Sequence, residues 1–350
     1  MRIKKPVLIL SVCALLFLSG CSYDNERALE KKDLDDRIVK INNTNAQTKR
    51  EPTAPLADTK KESIKSYEIR PDGAMRITDI FSAQNGAFSQ DSKKIVFTQF
   101  KSGYNEGEAD LKILDLETDA VDDLLSDGNS NVNLPGSSWI GDEIVFSSTK
   151  SPHDEIYMIN AKSKMIIQLT SRKNHVAYEP SFSPDKEQIV FESHKIDVED
   201  NGIIMIYNIK DGAYTEITDK NEDNRQPNWS PRGDLIIYQK STEGQWDIWV
   251  YNLSSETESR LTSSIGDKTD ASFSPDGQWV IYSSSERDEG MANVYAQTID
   301  GRQKKRITNQ AGYDGAPSWS YDNKYVVFES TPGEPDGSDG SSLWIIRSGT

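Results

Sequence analysis

The stretch Ala271-Ser272-Phe273-Ser274-Pro275-Asp276-Gly277-Gln278-Trp279-Val280-Ile281-Tyr282-Ser283 reads as a short strand, a tight turn and a second strand. Ser-Pro-Asp-Gly is turn chemistry: Pro275 sets φ at the second position, Asp276 bonds back to nearby backbone, and Gly277 takes a positive φ at no steric cost. Beyond the turn, Val280 and Tyr282 alternate with Ile281, as in a half-buried strand.

The phrase recurs. Pro180-Ser181-Phe182-Ser183-Pro184-Asp185 leads into Gln188–Ser193, and Pro227-Asn228-Trp229-Ser230-Pro231-Arg232-Gly233 leads into Leu235–Tyr238. Pro317-Ser318-Trp319-Ser320-Tyr321-Asp322 leads into Tyr325–Ser330, and Ala87-Phe88-Ser89-Gln90-Asp91 into Ile95–Phe97. The weakest copy is Ser138-Trp139-Ile140-Gly141-Asp142. The aromatic residues at 88, 139, 182, 229, 273 and 319 therefore mark six copies spaced by about 45 residues, a period that means a repeat architecture. Each unit has room for two further strands. The fourth strand closes on Leu169-Thr170, Ile217-Thr218, Leu261-Thr262 and Ile307-Thr308, with Leu125-Ser126 as a variant. Four short strands per unit predict an all-β fold, a six-bladed β-propeller. The sixth unit runs only to a third strand, while Asp72–Thr78 copies Asp300–Thr308. An N-terminal strand is therefore expected to complete the last blade, because an unclosed ring would expose raw strand edges.

Ahead of the repeats, Arg2, Lys4 and Lys5 precede an apolar run from Pro6 to Leu18, too short for a comfortable membrane span and typical of an export signal. It ends Leu18-Ser19-Gly20-Cys21, which resembles the bacterial lipobox. Cys13 lies inside the signal, so Cys21 has no disulfide partner in the exported chain. The expected organisation is a signal peptide over 1–20, a lipidated Cys21 with a flexible tether over 21–66, and the propeller over 67–350. The tether is rich in Lys, Asp, Glu, Asn and Thr and lacks the apolar surface needed to order itself. A cell-envelope location follows, with lipid on Cys21 holding the chain to the outer face of a bacterial membrane. The formal charge of −16 argues against nucleic acid as a partner.

The repeat Pro-x-Phe/Trp-Ser-Pro-Asp-Gly-x-x-Ile-Val-Phe-x-Ser, closed by Ile/Leu-Thr, is similar to that of the TolB family propeller across 67–350, and also occurs in propellers of prolyl-type peptidases. TolB carries an α/β domain before its propeller, where this chain has a lipid signal and tether. The resemblance implies the fold and a partner docking at the mouth of the central channel. On that basis the binding candidates are residues of the loops that enter each first strand: Gln84, Asn85, Asn133, Tyr178, Glu179, Arg225, Gln226, Asp270, Tyr313 and Asp314.

A catalytic constellation is missing from the sequence. Gly-x-Ser-x-Gly and His-Glu-x-x-His do not occur, and His153, His175 and His194 are scattered. Asp127-Gly128-Asn129-Ser130-Asn131 opens like a calcium loop, but Val132 stands where glycine is needed and Ser138 where the bidentate glutamate should be. No metal and no cofactor are expected. The loops between second and third strands share the face of the channel mouth and are acidic. They carry Glu106, Glu108, Asp154, Glu155, Asp197, Glu199, Asp200, Glu243, Asp247, Glu286, Asp288, Glu289, Glu334, Asp336 and Asp339 against Lys101, Lys150, Lys195, Lys240 and Arg287. Such a rim would steer a cationic partner, or simply keep the protein soluble. The leading expectation is a monomeric, non-enzymatic propeller that binds a protein or peptide. The alternative is a carbohydrate or cell-wall binding protein or enzyme with its site at the channel mouth, which would need paired carboxylates about 5–10 Å apart there; an aromatic platform among Tyr178, Tyr313 and Trp246 would favour glycan.

Overall fold

The computed structural model describes residues 68–128, 131–134, 138–196, 198, 201–288, 291–331 and 340–349. The segments expected to be the signal and the tether, with Cys21, lie outside them. The regular structure of the described residues is all β, in six antiparallel sheets. Blade 5 shows the plan: Lys268–Phe273, Trp279–Asp288, Met291–Thr298 and Lys304–Arg306 pair in chain order. Blades 1, 3 and 4 repeat it, with first strands Ala83–Phe88, His175–Phe182 and Asn224–Trp229. Blade 6 begins at Tyr313–Trp319, and its fourth strand is Met75–Arg76, paired as Met75↔Ile345 and Arg76↔Trp344. The ring closes as the spacing predicts.

The turns explain the repeated phrase. In blade 5 the Ser274 carbonyl accepts from Gly277 N at 2.8 Å, and Gly277 has φ 69°. The Ser274 hydroxyl accepts from Trp279 N at 2.9 Å and donates to Asp276 at 2.6 Å. The same serine bridge holds blades 1, 3 and 6 through Ser89, Ser183 and Ser320. The second marker has an equally local cause. The hydroxyls of Thr170, Thr218, Thr262, Thr308 and Thr78 accept from Ile156, Ile204, Ile248, Val294 and Leu343 N, clasping third strand to fourth.

Blade 2 departs from the plan. Without Ser-Pro-Asp, its first segment splits into Val132–Asn133 and Trp139–Ile140, both paired with Glu143–Ser148, and Gly141-Asp142 alone makes the turn. Gly141 has φ 63° there.

The core is a series of layers between blades. The aromatic residue of every second strand, Phe97, Phe146, Phe191, Tyr238, Tyr282 and Phe328, is fully buried. Each such side chain contributes roughly 2–3 kcal/mol. At the closure, Ile77, Phe88 and Phe97 pack with Val327 and Leu343.

Candidate functional site

Every regular first strand carries a β-bulge at the same repeat position. The register slips between Gln84 and Ala87, Tyr178 and Ser181, Arg225 and Asn228, Thr269 and Ser272, and Gly315 and Ser318. In each bulge one residue, three before the aromatic marker, is left-handed: Asn85 (φ 55°), Glu179 (51°), Gln226 (50°), Asp270 (55°) and Ala316 (44°). Left-handed backbone costs about 1–2 kcal/mol outside glycine, and strain of this kind clusters at functional sites. These residues, with Leu134 of blade 2, surround a single small cavity, which places it on the axis of the ring.

The bulge residues are joined side chain to side chain. Gln226 Nε2 donates to Glu179 Oε1 at 3.0 Å and to Asp270 Oδ1 at 2.8 Å, while its Oε1 accepts from Asp270 N at 3.0 Å. Asn85 Nδ2 donates to Asn133 Oδ1 at 2.8 Å. The residue after each second-strand aromatic, Thr98, Ser147, Glu192, Gln239, Ser283 or Glu329, is also polar and buried. From blade 6, Glu329 accepts from Asn85 N of blade 1 at 3.2 Å. Gln239 of blade 4 accepts from Asp270 N of blade 5 at 3.4 Å. The strained turns at Asn85 and Asp270 are thus held by the preceding blade.

Burial governs the acids of this ring. It pushes Glu179 and Glu329 up to about 7, opposed by hydrogen bonds from Gln226 and Tyr104 respectively, with the Asp270 charge adding to the rise in both. Burial and the neighbouring Glu179 charge hold Glu192 well above the carboxylate range. The unfolded chain loses these protons near 4.5, so the folded state binds more protons between there and neutrality. The stability linked to them is full below that range and is lost as pH rises to about 7. Glu329→Gln, which removes the charge but keeps an acceptor for Tyr104, is expected to flatten the fall in melting temperature between about pH 5 and 8. Thermal melts across pH check this; an unchanged slope would refute it.

The structure brings Asn85, Asn133, Glu179, Gln226 and Asp270 together. Arg225 stands beside them, bonded to Asp223 at 3.0 Å and 5.5 Å from the Trp246 ring. Tyr178 instead stacks on His194 and donates to Asp154, and Tyr313 packs edge-on against Tyr104. Tyr178, Trp246 and Tyr313 are thus each engaged with a different neighbour. Asp314 is fully buried, accepting from Arg70 and Gln310, and is structural rather than available to a partner. Gln84 is buried too. The acidic rim also needs correction. Glu155 accepts from Thr170, and Asp247 accepts from Thr262 and Arg260 and lies 3.5 Å from the buried Lys268. Both acids are internal ties, not surface charge. Asp197, Glu199, Asp200, Glu289, Glu334, Asp336, Asp339 and the Asp288 side chain lie outside the described residues. Among the described residues, no group of three or more His, Cys, Asp or Glu is placed to hold a metal ion.

Sequence reasoning missed Glu192, Glu329 and Tyr104. The first two were signalled by the polar position recurring after the aromatic in otherwise apolar second strands.

Comparison with known proteins agrees with the architecture. The TolB β-propeller domain family (PD40) matches residues 80–290. The Tol-Pal system protein TolB of Francisella tularensis subsp. mediasiatica is 29% identical over 177 residues, 50% of this chain and 39% of that protein. The match thus spans about two fifths of the length of that relative. Among solved structures, a putative TolB from Agrobacterium tumefaciens has TM-score 0.57 at 19% identity, covering 76% of this chain and 91% of its own. TolB from Acinetobacter baumannii has TM-score 0.59 at 19% identity, covering 72% and 64%. An oligogalacturonate lyase in complex with manganese has TM-score 0.56 at 13% identity, covering 83% and 98%. At such identities the solved structures speak to the fold alone. Repeat, ring and a family match over more than half the sequence coincide, and the chain belongs to the TolB β-propeller family.

Proposed function

We propose that this propeller is a non-enzymatic binding module of the cell envelope, whose protein or peptide partner docks on the channel mouth ringed by Asn85, Glu179, Gln226 and Asp270. One observation carries the reading: strained, half-buried polar residues from successive blades converge on the axis, yet the cavity between them is only about 30 Å³. Small-molecule sites enclose roughly 300–1,000 Å³. A ring this narrow suits a surface that a macromolecule covers rather than a pocket that a substrate enters. Glu179 Oε2, buried and without a partner among the described residues, is an acceptor for a donor that the partner would bring. Kinship with Tol-Pal system proteins supports a binding role. Affinity capture from solubilised membranes tests it, comparing wild type with an Asn85→Ala, Asp270→Asn variant. A protein retained by the first and lost from the second is expected; identical captures would refute the reading.

The envelope location rests on Cys21 as a lipidated first residue of the exported chain. Cys21→Ala is expected to move the protein from the membrane fraction to the soluble fraction, or to stall its processing, with no change in melting temperature. A variant that still sediments with membranes and is processed normally would count against lipid anchoring.

A further inference from the structure

The fourth strand of blade 6, borrowed from the far end of the chain, is short. Met75–Arg76 has two residues, against three to five in Val121–Leu125, Ile166–Gln168, Tyr214–Glu216, Thr257–Arg260 and Lys304–Arg306. The ladder on the outer edge of Ser342–Arg347 therefore stops at Ile345.

The other blades show what is missing. In each blade the last residue of the third strand stands opposite the first residue of the second: Asp115, Asn160, Asn208, Asn252, Thr298 and, in blade 6, Arg347. The N–H groups of Asp115, Asn160, Asn208 and Thr298 donate outward to the carbonyls of Ala120, Met165, Ala213 and Gln303, each at 2.9 Å, and Asn252 pairs with Thr257. The Arg347 N–H has no such partner among the described residues. The strand on its other side does not take it, because Tyr325 turns its own N–H and C=O to Ser320. Side-chain chemistry inverts at the same position. Asp115, Asn160, Asn208 and Asn252 accept from the turn that follows them, whereas Arg347 is an exposed cation.

A groove of about 580 Å³ lies along this edge, between Lys305–Ile307 of blade 5 and Ile345–Gly349 of blade 6. Its wall includes Met75, Tyr325 and Ile69, which is 68% exposed. Three of its four charged residues are cations, on a chain of net charge −16. The nearby Arg302, Lys304 and Lys324 are paired with Asp300, Glu286 and Asp322. Within the groove, Arg306 donates to the Thr308 carbonyl, Lys305 meets the Gly349 carbonyl and the Trp279 ring, and Arg347 lies over the Tyr325 ring. None of these three has a carboxylate at ion-pair distance among the described residues. The one acid of the groove, Asp72, already accepts from Ala74 N and Asn309 N.

We propose that this edge is a docking site for an extended acidic segment of a partner protein, which joins blade 6 as a further strand. A bare strand edge is a template for another strand. Strand addition supplies the acceptor that the Arg347 N–H lacks, while side chains on the added strand set the sequence preference. Lys305 and Arg347 select carboxylates, and the Arg347 guanidinium can take one by two parallel hydrogen bonds. The apolar wall asks for aliphatic side chains between the acids. The site is on the outside of the ring and stands independently of the reading given to the mouth.

The test uses the full-length protein labelled with 15N-arginine and the blocked peptide acetyl-Val-Glu-Val-Asp-Val-Glu-amide. Acetyl-Val-Lys-Val-Lys-Val-Lys-amide reverses the charge, and a fully N-methylated copy of the acidic peptide keeps the charge and cannot donate as a strand. The Arg347 amide resonance, assigned by its loss in Arg347→Gln, is expected to move downfield, saturate and exchange more slowly with solvent on addition of the acidic peptide. The Arg232 amide, on a turn of blade 4, is expected to stay in place. By calorimetry, Lys305→Gln and Arg347→Gln are each expected to weaken binding about fivefold. Lack of a saturable shift at millimolar peptide would overturn the proposal. Equal binding of the lysine peptide or of the N-methylated copy, or unchanged affinity in both variants, would do the same. So would movement of the Arg347 resonance with protein concentration alone, which would make the occupant a second copy. Movement on deletion of residues 22–66 would assign the edge to the chain's own acidic tether and also overturn it.

Discussion

Deleting residues 68–79 lowers the melting temperature of the propeller by at least about 10 °C, if the truncated chain folds at all. The segment supplies the fourth strand of blade 6, and its removal bares the edge of Ser342–Arg347. It takes away Ile77, which is buried between blades 6 and 1 at 2% exposure, a loss of about 2–5 kcal/mol. It also removes Arg70, whose guanidinium donates to Asp314 at 2.9 Å and lies 3.8 Å from the Trp344 ring centre. Asp314 is fully buried, and burial already raises its carboxyl above the usual range despite Arg70. Stripping one partner from such a pair costs about 3–5 kcal/mol. The two losses together exceed about 5 kcal/mol, at roughly 2–4 °C for each. Deleting residues 25–60 is the comparison and is expected to leave the melting temperature roughly unchanged. Differential scanning calorimetry decides: equal melting temperatures for the two deletions would contradict closure by this strand.

Replacing Gln226 by alanine is expected to destabilise the protein by about 3 kcal/mol at about pH 8 and by clearly less at about pH 5. Gln226 is the amide between two acids. Without it, Glu179 and Asp270 lose a shared donor, and Asp270 N loses its nearer acceptor. Each unsatisfied buried group costs about 1–3 kcal/mol. The pH dependence follows from Glu179, whose carboxyl is held up to about 7. At the lower pH it keeps a proton and adds no charge where the amide was lost. At the higher pH it is charged and has lost the donor that the amide supplied. Urea denaturation at the two pH values measures the difference, and an equal loss at both would contradict this account of the ring.

How much of this could be read in the sequence depended on how local the cause was. Ser274-Pro275-Asp276-Gly277 specifies its turn within four residues, and Gly277 is left-handed as expected. The same turn in blades 1, 3 and 6 puts Ser92, Lys186 and Asn323 at that position with φ between 58° and 61°, so the missing glycine hid nothing from the repeat. The closing strand was legible because Thr78 makes the same clasp as Thr308. The ring at the mouth was only partly legible. Its members, Asn85, Glu179, Gln226, Asp270 and Ala316, share a backbone conformation and no side-chain chemistry, so only their distance from the aromatic marker unites them. Charges misled where their partners come from afar. Asp314 is tied to Arg70 across the closure, and Asp247 to Arg260 and Lys268, pairings that alternation and spacing cannot reveal.

The central claim, a macromolecular partner on the acidic mouth, is tested most directly by photo-crosslinking in intact cells. A benzophenone amino acid replaces Phe81, exposed on the segment that enters the first strand of blade 1, or Lys162 on an exposed turn of blade 2. The account predicts one discrete crosslinked protein from position 81, absent from position 162 and abolished by Asp270→Asn in the same chain. The same adducts from both positions, or none from position 81, would contradict it.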